Sequence, residues 1–245
     1  MYREHGSSDD QAEDLLATPV KPVSLVTDIA ERFRESVVNG TLKPGEEINE
    51  SHLAERLGVS RGTLREAIRI LIGEGLLEKL PNRTSRVRML SPDKAWEIMT
   101  ARAIIEGFAA RVLAERLTPE KLERLHSIWQ RFYEAASAND RASFSHWDYA
   151  LHQAIMEMSG HAVLFETWTK ISAWIRLMFA SEDYSPEEML ANALNHKQVI
   201  DAIAAGDPYV AEEKLKADLL DQHELKRIAG LQSLSSNGKN PTELE

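Results

Sequence analysis

The sequence predicts a mainly α-helical chain with two unlike halves, and three observations carry that prediction. From Leu25 to Leu90, short helical patterns lead into a pair of alternating strands. Beyond Leu90 only helical periodicity remains. The long helices of this second half are announced by repeated cap-then-proline signals. The expected organisation is a flexible arm over 1–23, a small helical and hairpin domain over 24–90, an all-helical domain over 91–230 and a disordered tail over 231–245.

Each element has a local reason. Leu25, Ile29, Phe33 and Val37 recur at helical spacing, and Gly40 ends that helix. LKPGEEI reads as a turn built on Pro44-Gly45. Glu50 to Leu57 is a short helix with Leu53, Ala54 and Leu57 facing inward, and Gly58 supplies a sharp left-handed turn after it. Ser60 is placed to cap the next helix, Arg61 to about Gly73, which Gly75 stops. LLEKL and SRVRML alternate around Pro81-Asn82 as a two-stranded hairpin. In the second half, Ser91-Pro92, Thr118-Pro119, Ser185-Pro186 and Asp207-Pro208 each set a cap residue before a proline, where the missing N–H costs nothing. Ser185 and Glu188 form a capping box. Further helices fit 141–158 and 162–181, giving an antiparallel bundle of six to seven helices.

Composition narrows the chemistry. The chain has 245 residues, 43% of them hydrophobic, enough to build two cores. It has no cysteine, which excludes disulfides, thiolate metal sites and a thiol nucleophile. No apolar run has membrane-spanning length and the N-terminus lacks a secretory pattern, so no membrane partner and a cytoplasmic location are expected. Net charge is -10, yet Arg56 to Arg88 holds 8 basic residues against 3 acidic ones. A locally basic segment in an acidic chain fits a nucleic-acid contact better than the net charge suggests, although a solvated helical face would look the same.

Helix, helix, tight turn, helix and hairpin is the order of a winged helix-turn-helix. The second helix of such a motif presents its N-terminus to the major groove. Here that end is Ser60-Arg61-Gly62-Thr63-Leu64-Arg65. Hydroxyls and helix N–H groups at this end suit phosphate, and Arg61 and Arg65, four apart, can each present a bidentate fork to guanine. Leu64, Ala67, Ile68 and Leu71 form the opposite face. Lys79, Arg83, Arg86 and Arg88 supply a basic wing. The run LKPGEEINESHLAERLGVSRGTLREAIRILIGEGLLEKLPNRTSRV resembles the DNA-binding domain of the GntR family. The resemblance implies DNA contacts at Ser51, Ser60, Arg61, Thr63 and Arg65, and at the wing tip near Asn82. Gly62 and Asn82 depart from the family pattern.

Past Leu90 the motifs ARAIIEGFAARVLAERLT, WDYALHQAIMEMSGHAVL and NHKQVIDAIAAGD resemble the FCD effector domain of the FadR-like subgroup. The residues agree in part by themselves. Asp148 and His152 are i and i+4, so a carboxylate and an imidazole meet on one helical face and can chelate a divalent metal. A surface bridge is the ordinary alternative. By resemblance, Asp148, His152 and His196 match three metal ligands, and the fourth falls on Asp218 where the family usually has histidine. Two aspartates with two histidines make a harder, more anionic set, which shifts preference toward harder metals and lowers the attraction for an anionic effector; the cofactor the resemblance implies is a divalent ion of zinc, nickel or manganese type. Arg102 falls where the family places an arginine that contacts ligand; an exposed arginine paired with Glu106 is the alternative. Arg176 is a weaker candidate.

The resemblance therefore implies a transcription regulator and not an enzyme, repressing or activating, with repression preferred. It would bind a palindromic double-stranded operator as a homodimer and respond to a small carboxylate effector through a metal-containing helical domain. The rivals are a regulator whose metal is purely structural, and a metal-dependent hydrolase with an accessory DNA-binding domain.

Overall fold

A computed structural model describes residues 24–81, 84–181 and 184–220. The expected arm (1–23), Asn82 at the wing tip and the expected tail (231–245) lie outside the described residues. The element order is α1 (Ser24–Val38), β1 (Glu47–Ile48), α2 (Glu50–Leu57), α3 (Arg61–Glu74), β2 (Leu77–Lys79), β3 (Ser85–Val87), α4 (Pro92–Glu115), α5 (Pro119–Ser137), α6 (Arg141–Met158), α7 (Ala162–Ser181), α8 (Pro186–Ala204) and α9 (Pro208–Leu219). The chain is mainly helical, with a winged helix-turn-helix followed by a helical bundle.

The strands form one antiparallel sheet in the order β1-β3-β2. Strand β1 corrects the reading of LKPGEEI as turn alone. Glu47 pairs with Arg86 and Ile48 with Ser85, so the wing gains a third strand from beyond the hairpin. Two residues carry no readable alternation, and their partner is almost forty positions away, so the local pattern could not show it.

The caps explain where the bundle helices start. Ser91, Thr118, Ser185 and Asp207 each accept a backbone N–H from the first turn of the following helix, and Ser185 and Glu188 complete the capping box. Asp140 does the same for α6 through the Ser143 N–H. His161 Nδ1 lies 3.3 Å from the Leu164 backbone N, acting as a cap at the start of α7.

Two cores result. The smaller is built on Ile29, Phe33, Val37, Ile48, Leu64, Leu71, Leu77 and Val87. The larger fills the bundle with residues such as Leu113, Phe132, Phe144, Ile155, Trp168, Val199 and Leu215. Helix α7 belongs to both, because its Ala173 and Leu177 are buried in the smaller core while Trp168 and Ile175 are buried in the larger one.

The same helix supplies the polar contacts between halves. Arg176 lies 3.4 Å from Glu31 of α1 and stacks 4.3 Å over Tyr149 of α6. Glu31 is also bonded by Arg34, which grips Glu74 at the end of α3. Arg88 and Lys94 sit 5.1 and 5.4 Å from the ring of Trp174. Arg88 is thus engaged at the contact between halves, a correction to its expected part in a nucleic-acid-facing wing.

Gly75 caps α3 in the left-handed region (φ 86), and a Cβ there would fall 2.7 Å from Trp174. Gly75→Ala combines the left-handed penalty of about 1–2 kcal/mol with overpacking of about 1–3 kcal/mol. A loss of roughly 2–5 kcal/mol is expected by denaturant unfolding, and a change below about 0.5 kcal/mol would contradict it.

Candidate functional site

The sequence singled out two regions, and each has a definite geometry. In the first, α2 and α3 are joined at Gly58, whose φ is 64, and the Gly58 and Val59 N–H groups return to carbonyls of α2. Ser60 caps α3 by accepting the Thr63 N–H at 3.0 Å, and the two hydroxyls share a hydrogen bond of 2.8 Å. Arg61 and Arg65 are exposed, whereas Leu64, Ala67, Ile68 and Leu71 are buried against the small core. Ser51 is exposed in the first turn of α2. A groove lined by Asn49, Glu50, Ser51, Arg61, Arg65 and Thr84 runs between the two helix N-termini and the sheet. Thus Ser51, Arg61 and Arg65 share one surface, with the Ser60–Thr63 cap beside it. On the wing, Arg86 is held by Glu78 at 2.5 Å.

The second region is buried between helices of the bundle. Asp148 and His152 project from α6, and His196 projects from α8. All three are no more than 3% exposed. His152 Nε2 and His196 Nε2 are 3.0 Å apart, and Asp148 Oδ1 lies 3.4 and 3.3 Å from them. Asp218 of α9 reaches this cluster from one side, its Oδ2 being 3.3 Å from His196 Nε2.

The groups behind the two rings decide what they present. His152 Nδ1 lies 2.7 Å from Glu106 Oε2, and His196 Nδ1 lies 2.9 Å from the Asn192 carbonyl. Both Nδ1 atoms face acceptors, so each neutral ring carries its proton there and turns an Nε2 lone pair inward. Two lone pairs and a carboxylate oxygen then converge. Asp148 Oδ1 is buried without a hydrogen bond of its own. Such a set requires positive charge at its centre, from a proton or from a metal ion. The Asp/His/His triad can hold a metal: its three ligand atoms lie within 4.8 Å of one another, and two imidazoles with a carboxylate suit a divalent transition ion.

The protonation shifts agree with that reading. Burial by itself would lower the pKa of His196, but the carboxylates of Asp218 and Asp148 outweigh it and raise the value to about 10. Burial opposes the charged form of Asp148, yet His196 and His152 hold its carboxyl well below the usual range. His152 is also raised, with Glu106 overcoming burial and the repulsion of Arg102.

In metal-free protein the His196 contribution to stability is therefore fully present below pH 6.5 and lost as pH rises through about 10. A bound ion would replace that proton. Melting of chelator-treated protein is expected to show progressive loss of stability above pH 6.5, and this loss should vanish when a divalent ion is restored. The same pH profile with and without metal would count against the triad as its site.

Glu106, which the sequence offered only as a surface partner of Arg102, is a buried hub. It is fully buried on α4 and serves three donors at once. Arg102 Nε bonds its Oε1 at 2.7 Å, Trp168 Nε1 bonds the same oxygen at 2.7 Å, and His152 takes Oε2. Burial would raise its pKa, but Arg102 and His152 bring it down to about 2. The expected Arg102 is neither simply open to a ligand nor exposed. It is 2% exposed and already paired with Glu106, one turn further along α4. Arginine and glutamate at i and i+4 form the commonest of surface pairs, so only the packing of α6 and α7 against α4 distinguishes this one.

Comparisons with known proteins fit both regions. Residues 25–87 match the family described as bacterial regulatory proteins, gntR family, and residues 97–221 match the FCD domain. The probable repressor of a D-xylose utilization operon in Paenarthrobacter nicotinovorans is 29% identical over 77% of this chain and 84% of its own length. The Glc operon transcriptional activator of Escherichia coli (strain K12) is 27% identical over 75% of this chain and 82% of its own length. Among solved structures, E. coli McbR/YncC superposes with a TM-score of 0.74 at 24% identity, covering 87% of this chain and 100% of that one. A GntR transcriptional regulator of Rhodococcus sp. RHA1 reaches a TM-score of 0.75 at 25% identity, covering 84% and 98%.

Proposed function

Because the chain belongs to the gntR family of bacterial regulatory proteins, in the FadR-like subgroup that carries an FCD domain, we propose that it is a ligand-responsive repressor that senses a small carboxylate through a divalent metal held in its helical half. Family and relatives make it a DNA-binding transcription regulator and not an enzyme, so the hydrolase alternative falls away. Among the described residues no helix is long and apolar enough to cross a membrane. A cytoplasmic site of action follows from the proposed operator.

The DNA side of the reading rests on Ser51, Ser60, Arg61, Thr63 and Arg65, with Asn82 at the wing tip. One α3 helix reads few bases, so a homodimer on a palindromic operator is the fitting assembly. Trp96, Ile104 and Phe108, exposed along α4, give such a dimer apolar surface to bury.

The observation that carries the sensing side is the convergence of two Nε2 lone pairs and Asp148 Oδ1, with both rings locked from behind. Asp148, His152 and His196 would hold the ion, with Asp218 as a fourth ligand. When bound, the ion supplies a positive centre that can take a carboxylate oxygen. Arg102 pairs with Glu106, whose other oxygen lies against His152, and would take the other oxygen of the effector. Its present pairing means that an effector must compete with Glu106. Entry therefore requires side chains to move, which is what a sensor needs if binding is to favour one domain arrangement over another.

The test is a titration. Metal-stripped protein is loaded with zinc, nickel or manganese, then challenged with a panel of mono- and dicarboxylates while melting and operator release are followed. A raised melting temperature with one acid, dependent on the ion and lost in His196→Ala, is the expected result. A large loss with chelator but no response to any acid would instead establish a purely structural metal.

A further inference from the structure

Glu50 presents a physical problem. It is an acidic residue in the groove where Ser51, Arg61 and Arg65 gather, on the surface that the regulator reading turns toward DNA. A carboxylate facing phosphates weakens every DNA complex, whatever its sequence. Its bonds show what it does in return. Glu50 is the first residue of α2, where a negative charge suits the helix N-terminus. Its Oε2 accepts from Arg65 Nε at 3.1 Å, and its Oε1 lies 3.5 Å from the hydroxyl of the buried Ser85 on β3. The carboxylate is only 20% exposed, against 66% for the Arg65 side chain. One fixed anion thus links α2, the wing strand and α3.

We propose that Glu50 is a specificity-determining residue that positions Arg65 for base reading and withholds it from the phosphate backbone. With Nε committed to Glu50, the Nη1/Nη2 edge is the one available for a bidentate contact with guanine O6 and N7. The guanidinium is also partly neutralised, so its attraction for any nearby phosphate is reduced. Glu50 thereby lowers non-specific affinity while sharpening the difference between right and wrong duplexes, which is specificity gained through repulsion as well as attraction. This inference rests on the DNA-binding reading of the preceding section.

The parent protein is first used to select a duplex from a randomised pool, and binding to that duplex and to a scrambled one is then measured across salt concentrations. Glu50→Gln, similar in size and uncharged, is expected to bind the scrambled duplex several-fold more tightly at low salt. Its salt dependence should steepen by about one phosphate contact, and its preference for the selected duplex should fall by about tenfold. Ser85→Ala, which loosens only the second oxygen, should move in the same direction by less. In an Arg65→Ala background Glu50→Gln should cause no further loss of preference, because the residue it orients is gone.

Preference unchanged in Glu50→Gln, or affinity falling equally for both duplexes, would overturn the proposal and leave Glu50 a structural link. Loss of preference that persists without Arg65 would overturn it as well. If Glu50→Gln does not fold by circular dichroism, Ser85→Ala decides by the same criteria. A parent that selects no duplex at all would bring down the regulator reading itself, an outcome distinct from the others.

Discussion

Glu106→Ala is expected to lower the melting temperature by roughly 10 °C and, with the same substitution, to weaken retention of the proposed metal. The substitution removes the Glu106 carboxylate from Arg102, a cation only 2% exposed, and takes away the acceptor of the Trp168 indole N–H. Removing one partner of a buried ion pair typically costs about 3–5 kcal/mol. For a chain of this size each kcal/mol corresponds to about 2–4 °C. The metal effect has a separate cause. Glu106 fixes the Nδ1 proton of His152, and without it the ring is free to flip or to change tautomer. Glu106→Gln separates the two effects, because its amide oxygen can still accept from one donor. It should recover part of the stability but less of the metal affinity, since the amide cannot serve Arg102, Trp168 and His152 together. Differential scanning calorimetry and elemental analysis read both quantities. A melting temperature within 2–3 °C of the parent would show that Arg102 finds another partner, and the account of the buried network would be wrong.

Arg65→Ala is expected to reduce affinity for a selected operator by about 10–100-fold at physiological salt while leaving the fold intact. The side chain is 66% exposed and packs against nothing in the small core, so little stability is lost. Arg65→Lys is the informative companion. It keeps the positive charge for phosphate but loses the fork, so binding to unrelated duplexes should persist while discrimination falls. Fluorescence anisotropy with selected and scrambled duplexes measures both. Specific binding unchanged in Arg65→Ala would move base reading to Arg61 or the wing.

Much of this architecture was legible in the sequence because its signals are local. A hydroxyl or carboxylate before a proline fixes a helix start within one turn, and Ser91, Thr118, Ser185 and Asp207 all do so. Gly58 and Gly75 end their helices as expected for residues with positive φ. The Asp148 and His152 pairing follows from the helical repeat, and the structure brings His196 and Asp218 to it from two other helices. What escaped depends on distant partners. Strand β1 exists because β3 returns beside it. Glu106 became a buried hub because Trp168 and His152 arrive from α7 and α6. Arg88 reads as a wing cation and Arg176 as a weaker ligand-binding candidate until α7 crosses toward the first half of the chain.

That crossing has a consequence for how such a regulator can be taken apart. Ala173 and Leu177 fill the small core, and Gly75 leaves just enough room for the Trp174 indole. A fragment cut near Leu90 would carry the whole reading head yet expose a greasy scar where that helix had sealed it. Grafting the head onto a foreign sensor would fail for the same reason unless the host supplied a matching plug. The two halves should consequently lose their structure in a single cooperative event, and the head behaves less as an interchangeable module than as one end of a continuous solid.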